Sequence, residues 1–526
     1  MTGLAILLVA AAIAFGLAQA LRAPLIPLLL LSGVMLHMSG LSMPEDVAQS
    51  VLEIGLAVLV FGAGMELNPK RFGGQFRPVL GIGIVQFVAV GLAGVCIAWS
   101  MGQDWIAALY IGLAVTTSST LIIVRLLKTR QQMFEPFGRV VTGVLLIQDL
   151  FIVLMIVLLI RVPEGWGSIA RGLASLSVLL ALAYSFLRWL MPYVMLRTKL
   201  DHETLGLAIM AVLFMFMWAA HLLGLPIITG AFLAGVSLST FPINSIARGM
   251  MTSLSTFFLA LFFVVLGAII DVTSAQDWIN AALLAAMILV LTPTLVALIG
   301  ERLGLTARAS IESGLLLAMT SEFSLVVVLQ GLMTGQIQPV VFNVVALATV
   351  ITMTITPLIA TDRFTWTLMR LNRRTRPREV ETLARLNNHV VLLGYGRGGS
   401  VVLKALRAAG QDLVVVDDDP VVLRELEEQG VPTVRGDGSD KRILAAVNAR
   451  QARAIISSMR RVSDTESALR HLNPGGPPVI TRVFDPEDAE RIRAQGGIPV
   501  LSSTSAAEAF MNWYRYTQKE PEAEQS

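Results

Sequence analysis

The sequence predicts a polytopic α-helical membrane domain of about thirteen helices, an inverted repeat with two broken helices, followed by an α/β Rossmann-like cytoplasmic domain. Three observations predict it. The chain is 55% hydrophobic and only 15% charged, where a soluble domain carries about 25% charged residues. Its apolar blocks, separated by short charged breaks, run to about Ala360 and then give way to an ordinary soluble mixture. Two of the blocks are interrupted by hydroxyl residues, and the soluble part opens on a glycine-rich turn between a strand and a helix.

A helix needs about 20 apolar residues to cross the hydrocarbon. The blocks place spans at 3–21, 24–40, 48–66, 77–100, 105–127, 140–160, 167–190, 204–223, 226–240, 250–270, 277–300, 309–332 and 339–360. Basic loops stay cytoplasmic. Lys70, Arg71, Lys128, Arg139, Arg197, Lys199 and Arg302 fall in alternate breaks, whereas Glu45, Asp46, Asp104, Asp271 and Asp277 fall in the others. Arg161 and Arg171 are the exceptions. The N-terminus is therefore expected outside and the soluble domain inside, which an odd helix count also requires. The first block lacks a basic leader and a small-residue cleavage pattern, so it reads as a retained helix. The one cysteine, Cys96, excludes an internal disulfide and a thiolate metal cluster. The five histidines show no ligand spacing. A net charge of +3 gives no footprint for nucleic acid, and none is expected as a partner.

A carboxylate in mid-membrane is expensive and marks a functional site by default. Asp149 is the clearest, flanked on both sides by apolar residues and preceded by Gln148, whose carbonyl adds a ligand for a cation. K⁺ or Na⁺ is expected at Asp149. The preceding span contains Thr116, Thr117, Ser118, Ser119 and Thr120 in a row. Such side chains compete for backbone hydrogen bonds, so this run reads as the unwound point of a broken helix. A small-residue packing seam is the other reading. A second interruption, Thr320-Ser321-Glu322-Phe323-Ser324, lies in the distant half, which points to an inverted-repeat transporter. Glu322 is either an ion ligand or a cap on the opposing half-helix, with the structural role favoured. Glu66, at a helix end, is expected at the membrane interface rather than in the site.

Residues 371–386 are basic, contain proline and read as a linker. His389 to Leu393 then forms a strand, Gly394-Tyr-Gly396-Arg397-Gly-Gly399 a turn opening a helix to Ala409, and Leu413 to Val416 a second strand ending on Asp417. Gly394 makes the tight turn, Gly396 admits a phosphate, and Gly399 lets the helix pack on the sheet. The helix N-terminus attracts phosphates, and Asp417 is placed to accept ribose hydroxyls. Further strands are expected up to Val434, at Ala454 and at Pro478. An adenine nucleotide is the expected ligand.

These residues together resemble the Kef-type potassium/proton antiporters of the monovalent cation:proton antiporter-2 family, over nearly the whole chain. Gln148-Asp149 is similar to the family's Gln-Asp pair, Thr320-Ser321-Glu322-Phe323 to its Gly-Ser-Glu-Phe, and Gly230-Ala-Phe-Leu-Ala-Gly is identical to its counterpart. Gly394-Tyr-Gly-Arg-Gly-Gly resembles Gly-Phe-Gly-Arg-Phe-Gly, and Gly436-Asp437-Gly438 resembles Gly-Asp-Ala. The resemblance implies a C-terminal RCK (TrkA-N) module that binds NAD(H) or AMP, with Gly394, Gly396, Arg397, Gly399, Asp417 and Asp437 as its nucleotide residues. It also implies a homodimer, an ancillary regulatory subunit, exchange of K⁺ or Na⁺ for H⁺ by a moving core that carries Asp149, and a bacterial inner-membrane location. Two departures stand out. The family's Lys before the second broken helix is absent; Ile279 to Gly300 holds no ionisable residue and shows Thr292-Pro293-Thr294. The acidic regulatory loop is absent too: between Phe241 and Leu254 the only charge is Arg248. Arg482 stands where the family has an arginine linked to glutathione, and pairing with Asp485 or Glu487 is the equal alternative.

The expected division is a transmembrane exchanger at 1–362, a linker at 363–387, a nucleotide-binding domain at 388–510 and a tail at 511–526. A gated potassium channel is the first competing class. It needs a Thr-Val-Gly-Tyr-Gly type filter in the membrane, and the only Gly-Tyr-Gly lies in the soluble turn, at Gly394. A membrane-bound NAD-dependent oxidoreductase is the second. No flavin, quinone or metal constellation accompanies the turn, and the chain is not expected to be an enzyme.

Overall fold

Lipid offers no partner to a free backbone N–H or C=O, so a chain this apolar must satisfy its backbone within helices. A computed structural model describes residues 2–21, 23–39, 45–66, 76–130, 132–133, 135–190, 202–239, 245–271, 274–371, 387–459, 461–472, 475–502 and scattered positions from 504 to 514. The units are residues 1–371 and 372–526. Most of the linker 363–387 and of the tail 511–526 lies outside the described residues.

The first unit runs α1 (Thr2–Leu21), α2 (Leu25–Met38), α3 (Glu45–Glu66), α4 (Phe76–Ser100), α5 (Trp105–Ala114), α6 (Thr120–Thr129), α7 (Pro136–Leu159) and α8 (Trp166–Ser185). It continues with α9 (His202–Leu222), α10 (Ile227–Ser239), α11 (Ser245–Ile269), α12 (Ala275–Arg302), α13 (Ala307–Leu317), α14 (Glu322–Met333), α15 (Pro339–Ile359) and the short α16 (Asp362–Leu371). Each expected span coincides with a helix, and two of them are pairs of half-helices: α5 with α6, and α13 with α14. Among the described residues, nine segments are long and apolar enough to cross a membrane by length and composition. The remainder are shorter apolar helices such as α2 and α10.

Packing repeats along the chain. The helices from α1 to α7 find counterparts in α9 to α15, with α8 between them. Thus α2 packs on α11 as α10 packs on α3, and α4 packs on α5 and α7 as α12 packs on α13 and α15. Both crossings of the first kind are built on glycine. A Cβ on Gly33 would sit 2.1 Å from the Val264 carbonyl oxygen, and one on Gly235 would sit 2.2 Å from that of Phe61. Small residues let two backbones touch, which in lipid replaces the missing hydrophobic drive. Two bundles result. One joins α1–α3 to α9–α11; the other joins α4–α7 to α12–α15. They meet sparsely, through α7 on α10 and α15 on α2.

The second unit is a six-stranded parallel sheet of order β3-β2-β1-β4-β5-β6. Its strands are β1 (Val390–Leu393), β2 (Leu413–Asp417), β3 (Thr433–Arg435), β4 (Ala454–Ser457), β5 (Val479–Val483) and β6 (Ile498–Leu501). The helices α17 (Gly396–Ala408), α18 (Pro420–Glu428), α19 (Lys441–Ala446), α20 (Val462–Leu472) and α21 (Pro486–Ala494) connect them. β1 and β2 are apolar without alternation because both faces are covered. β6 is half exposed and alternates, and the sequence reading did not anticipate it.

Candidate functional site

The two broken helices sit back to back in the second bundle. α5 ends at Ala114 because the hydroxyl run that follows diverts its bonds: Thr116 Oγ1 donates back to the Leu113 carbonyl at 2.7 Å. α6 restarts at Thr120, with Ser119 as its N-cap accepting from the Ile122 N–H at 3.4 Å. α13 ends at Leu317, and α14 restarts at Glu322 behind a capping box of Ser321 and Ser324. Each gap then serves the other. The Ser118 hydroxyl donates to the Leu317 carbonyl at 2.7 Å, and the Ser324 hydroxyl donates to the Ala114 carbonyl. So each break meets orphan carbonyls of the opposing half-helix with its own hydroxyls.

Asp149 and Gln148 lie on α7, beside this crossing. The Thr120 hydroxyl donates to Asp149 Oδ2 at 3.0 Å, and the Ser118 N–H donates to Gln148 Oε1 at 3.1 Å. Glu322 reaches across to α6, where the Ser119 hydroxyl donates to its Oε2 at 2.9 Å. Asp149 is 1% exposed and Glu322 2%. Three polar atoms here have no hydrogen-bond partner: Asp149 Oδ1, Gln148 Nε2 and Thr117 Oγ1. An unsatisfied buried oxygen costs about 1–3 kcal/mol, so oxygens left open point to a ligand. A carboxylate oxygen and a hydroxyl are the hard donors that a small monovalent cation takes.

The structure adds residues that sequence reasoning missed. Thr352 and Thr356, one turn apart on α15, hold the second gap from outside. The Thr320 N–H donates to Thr352 Oγ1 at 3.2 Å, and the Thr356 hydroxyl donates to the Ala318 carbonyl at 2.5 Å. Their i, i+4 spacing was the only signal, and threonines in membrane helices commonly bond their own backbone instead. Glu66 is exposed at the C-terminal end of α3. The Thr292-Pro293 segment of α12 packs against α13: a Cβ on Gly314 would lie 2.8 Å from backbone atoms of Pro293.

In the second unit, the chain reverses its strand order at β1, which puts the glycine-rich turn at the switch point between β1 and β4. Gly394 has φ +83°, open to glycine alone, and a Cβ on Gly399 would lie 2.4 Å from the Gly394 carbonyl oxygen. Gly396 and Arg397 open α17. Asp417 ends β2, and its carboxylate accepts the Tyr395 N–H at 2.7 Å and the Asp419 N–H at 2.8 Å. Burial pushes that carboxyl above its ordinary value, and the two backbone donors offset part of the rise. Asp437 accepts the Ser439 N–H at 2.9 Å and the Ser439 hydroxyl at 2.6 Å. Arg482 makes neither expected ion pair. Its guanidinium stacks over Phe484 at 4.7 Å, and a Cβ on Gly398 would lie 2.7 Å from its Nη1. A positive group and a helix N-terminus thus face the same turn, which suits an anion.

Paired broken helices crossing at a buried carboxylate define a secondary ion transporter. A cation/proton antiporter with a C-terminal regulatory domain is the class that fold and relatives agree on. The chain belongs to the sodium/hydrogen exchanger family, whose description "Sodium/hydrogen exchanger, transmembrane" matches residues 4–362. A second description, "TrkA-N domain", matches residues 390–503. The chain is similar to the glutathione-regulated potassium-efflux system protein KefC of Salmonella schwarzengrund (strain CVM19633), 27% identical over 470 residues, 87% of this chain and 74% of the relative. KefC of Enterobacter sp. (strain 638) is 27% identical over 472 residues, with the same coverage. Among solved structures, the sodium proton antiporter MjNhaP1 from Methanocaldococcus jannaschii shares the fold. Its TM-score is 0.53 at 15% identity, over 71% of this chain and 99% of that one. The relatives are transporters, so the oxidoreductase reading falls away.

Proposed function

We propose that the protein exchanges potassium for protons across a bacterial inner membrane, by alternating access at Asp149, under control of a nucleotide on its C-terminal domain. One observation supports this most: Asp149 Oδ1 is buried and unpartnered, while Thr120 of the first broken helix already holds the other carboxylate oxygen. The carboxylate holds either a proton or a cation. Thr120 orients it by donating to the other oxygen, and Gln148 ties α7 to the first gap. Glu322 keeps the two gaps in register by accepting from Ser119. Potassium rests on the relatives' named activity, and Na⁺ is the alternative to be measured against it. The N-terminus outside, the cytoplasmic soluble domain and a homodimer belong to the same reading.

An adenine nucleotide, NAD(H) or AMP, fits the turn of the second unit. Gly394 makes the tight turn and Gly399 lets α17 pack close against it, the N-terminus of α17 and the Arg482 guanidinium supply positive charge, and Asp417 sits at the strand end for ribose. The deciding experiment is ion-driven proton flux in everted vesicles with K⁺, Na⁺ and Rb⁺. Flux with K⁺ but not Na⁺ supports the reading; no cation-dependent flux with any of them overturns it.

A further inference from the structure

Helices traverse the first unit alternately, so the C-terminal ends of α7, α9 and α11 and the N-terminal ends of α10 and α15 share one end of it. At that end two side chains reach between the bundles. Arg161, just past α7, donates from its guanidinium to the Gly224 carbonyl in the turn between α9 and α10. Its stem lies against α8, where a Cβ on Gly172 would meet its Cδ at 2.6 Å. Asn343, on the first turns of α15 and 5% exposed, donates to the Asp271 carbonyl at 2.7 Å and accepts the Asp271 N–H at 3.3 Å, just past α11. Both contacts cross from one bundle to the other at the same end of the unit. The second bundle is closed on itself there as well: the Tyr110 hydroxyl donates to Gln336 Oε1 at 2.8 Å, and Gln336 Nε2 donates to the Ile160 carbonyl at 2.8 Å. Glu66, at the C-terminal end of α3, lies at the opposite end.

We propose that Arg161 and Asn343 form a latch that holds the two bundles closed at this end, and that the latch must open once in every transport cycle. This rests on the alternating-access reading. Arg161 is one of the two basic residues that break the loop-charge pattern, and the latch gives it a reason to be there. It lies twelve residues beyond Asp149 on α7, about 18 Å along a helix. Any rigid shift of α7 relative to the α9–α10 turn therefore stretches its bond to Gly224. The Asn343 pair reports the same shift between α15 and α11. Both are positioning residues: neither touches the ion.

The test locks the latch. In full-length protein lacking Cys96 (Cys96→Ser), Asp271→Cys and Asn343→Cys are joined by a short thiol-reactive cross-linker, and cation/proton exchange is followed in proteoliposomes. The expected result is loss of exchange on cross-linking and recovery on adding reductant. Cation-dependent thermal stabilisation should persist in the locked protein, because binding from the Glu66 end remains open. Exchange by the locked protein at the rate of its reduced form overturns the proposal. Wild-type protein in the same assay separates failure of the latch from failure of the antiport reading, since it must exchange in either case for the antiport reading to stand. Arg161→Ala and Asn343→Leu ask the same question without a cross-link. They should lower the ratio of KM at the latch end to KM at the opposite end at least fivefold, because the latch-closed population falls. A merely structural defect changes both KM values alike, and a ratio within twofold of wild type overturns the latch.

Discussion

Replacing Asp149 by Asn tests the carrier with the least disturbance. The shape is kept, and an amide oxygen still accepts the Thr120 hydroxyl that now bonds Oδ2 at 3.0 Å. Only the charge goes. At about 4 Å and an effective dielectric of about 20, a unit charge pair is worth on the order of 4 kcal/mol. Cation affinity should thus fall about a thousandfold, and the proton loses its site altogether. Folding stability should change by no more than about 1–3 kcal/mol, because the amide nitrogen takes the place of an oxygen that already has no partner. The assay is K⁺-driven proton movement in everted vesicles, read with a pH-sensitive dye, beside a thermal melt of the purified protein. Wild-type apparent cation affinity should weaken as pH falls, approaching about tenfold per unit once the proton dominates the shared carboxylate. Normal exchange by a folded Asp149→Asn protein would refute the reasoning, and so would a wild-type cation affinity indifferent to pH.

Gly314→Ala should destabilise the first unit by about 1–3 kcal/mol, because its Cβ would meet Pro293 backbone atoms 2.8 Å away; a melt checks it. Ser119→Ala removes both the α6 cap and the donor to Glu322, and should cost about 1–2 kcal/mol in the same assay. Titration calorimetry of the full chain should show binding of NAD⁺, NADH or AMP, abolished by Gly399→Ala, whose Cβ would lie 2.4 Å from the Gly394 carbonyl oxygen. Because the stretch from Phe241 to Leu254 carries no carboxylate, glutathione or an electrophilic adduct should leave exchange unchanged in proteoliposomes; a severalfold activation would show that another surface replaces that loop.

The helices were legible because lipid forces long apolar runs, and the breaks because five consecutive hydroxyl residues, Thr116 to Thr120, are incompatible with a regular membrane helix. Strand, glycine turn and acid in the second unit were legible for a similar reason: Gly394 holds a φ of +83° that glycine alone takes easily, and a Cβ on Gly399 would meet the Gly394 carbonyl. What a linear reading misses is pairing between distant segments. Nothing local says that Ser118 will find Leu317, or that Thr356 will find Ala318. Arg161 and Arg171 broke the loop-charge rule; for Arg161 the exception records an engagement with Gly224 that sits 63 residues away.

The glycine crossings of α2 with α11 and of α10 with α3 bear on how such a molecule can move. Where backbone lies directly on backbone there are no rotamers to exchange, and close-packed contacts have discrete arrangements rather than gradual ones. A joint of that kind does not shear by small steps. The first bundle therefore behaves as a stiff frame, and compliance must lie elsewhere. The thinly packed seams of α7 on α10 and α15 on α2 are where it lies. A larger residue at Gly33 or Gly235 would wedge the frame itself apart, whereas changes along the seams would retune how easily one bundle travels past the other.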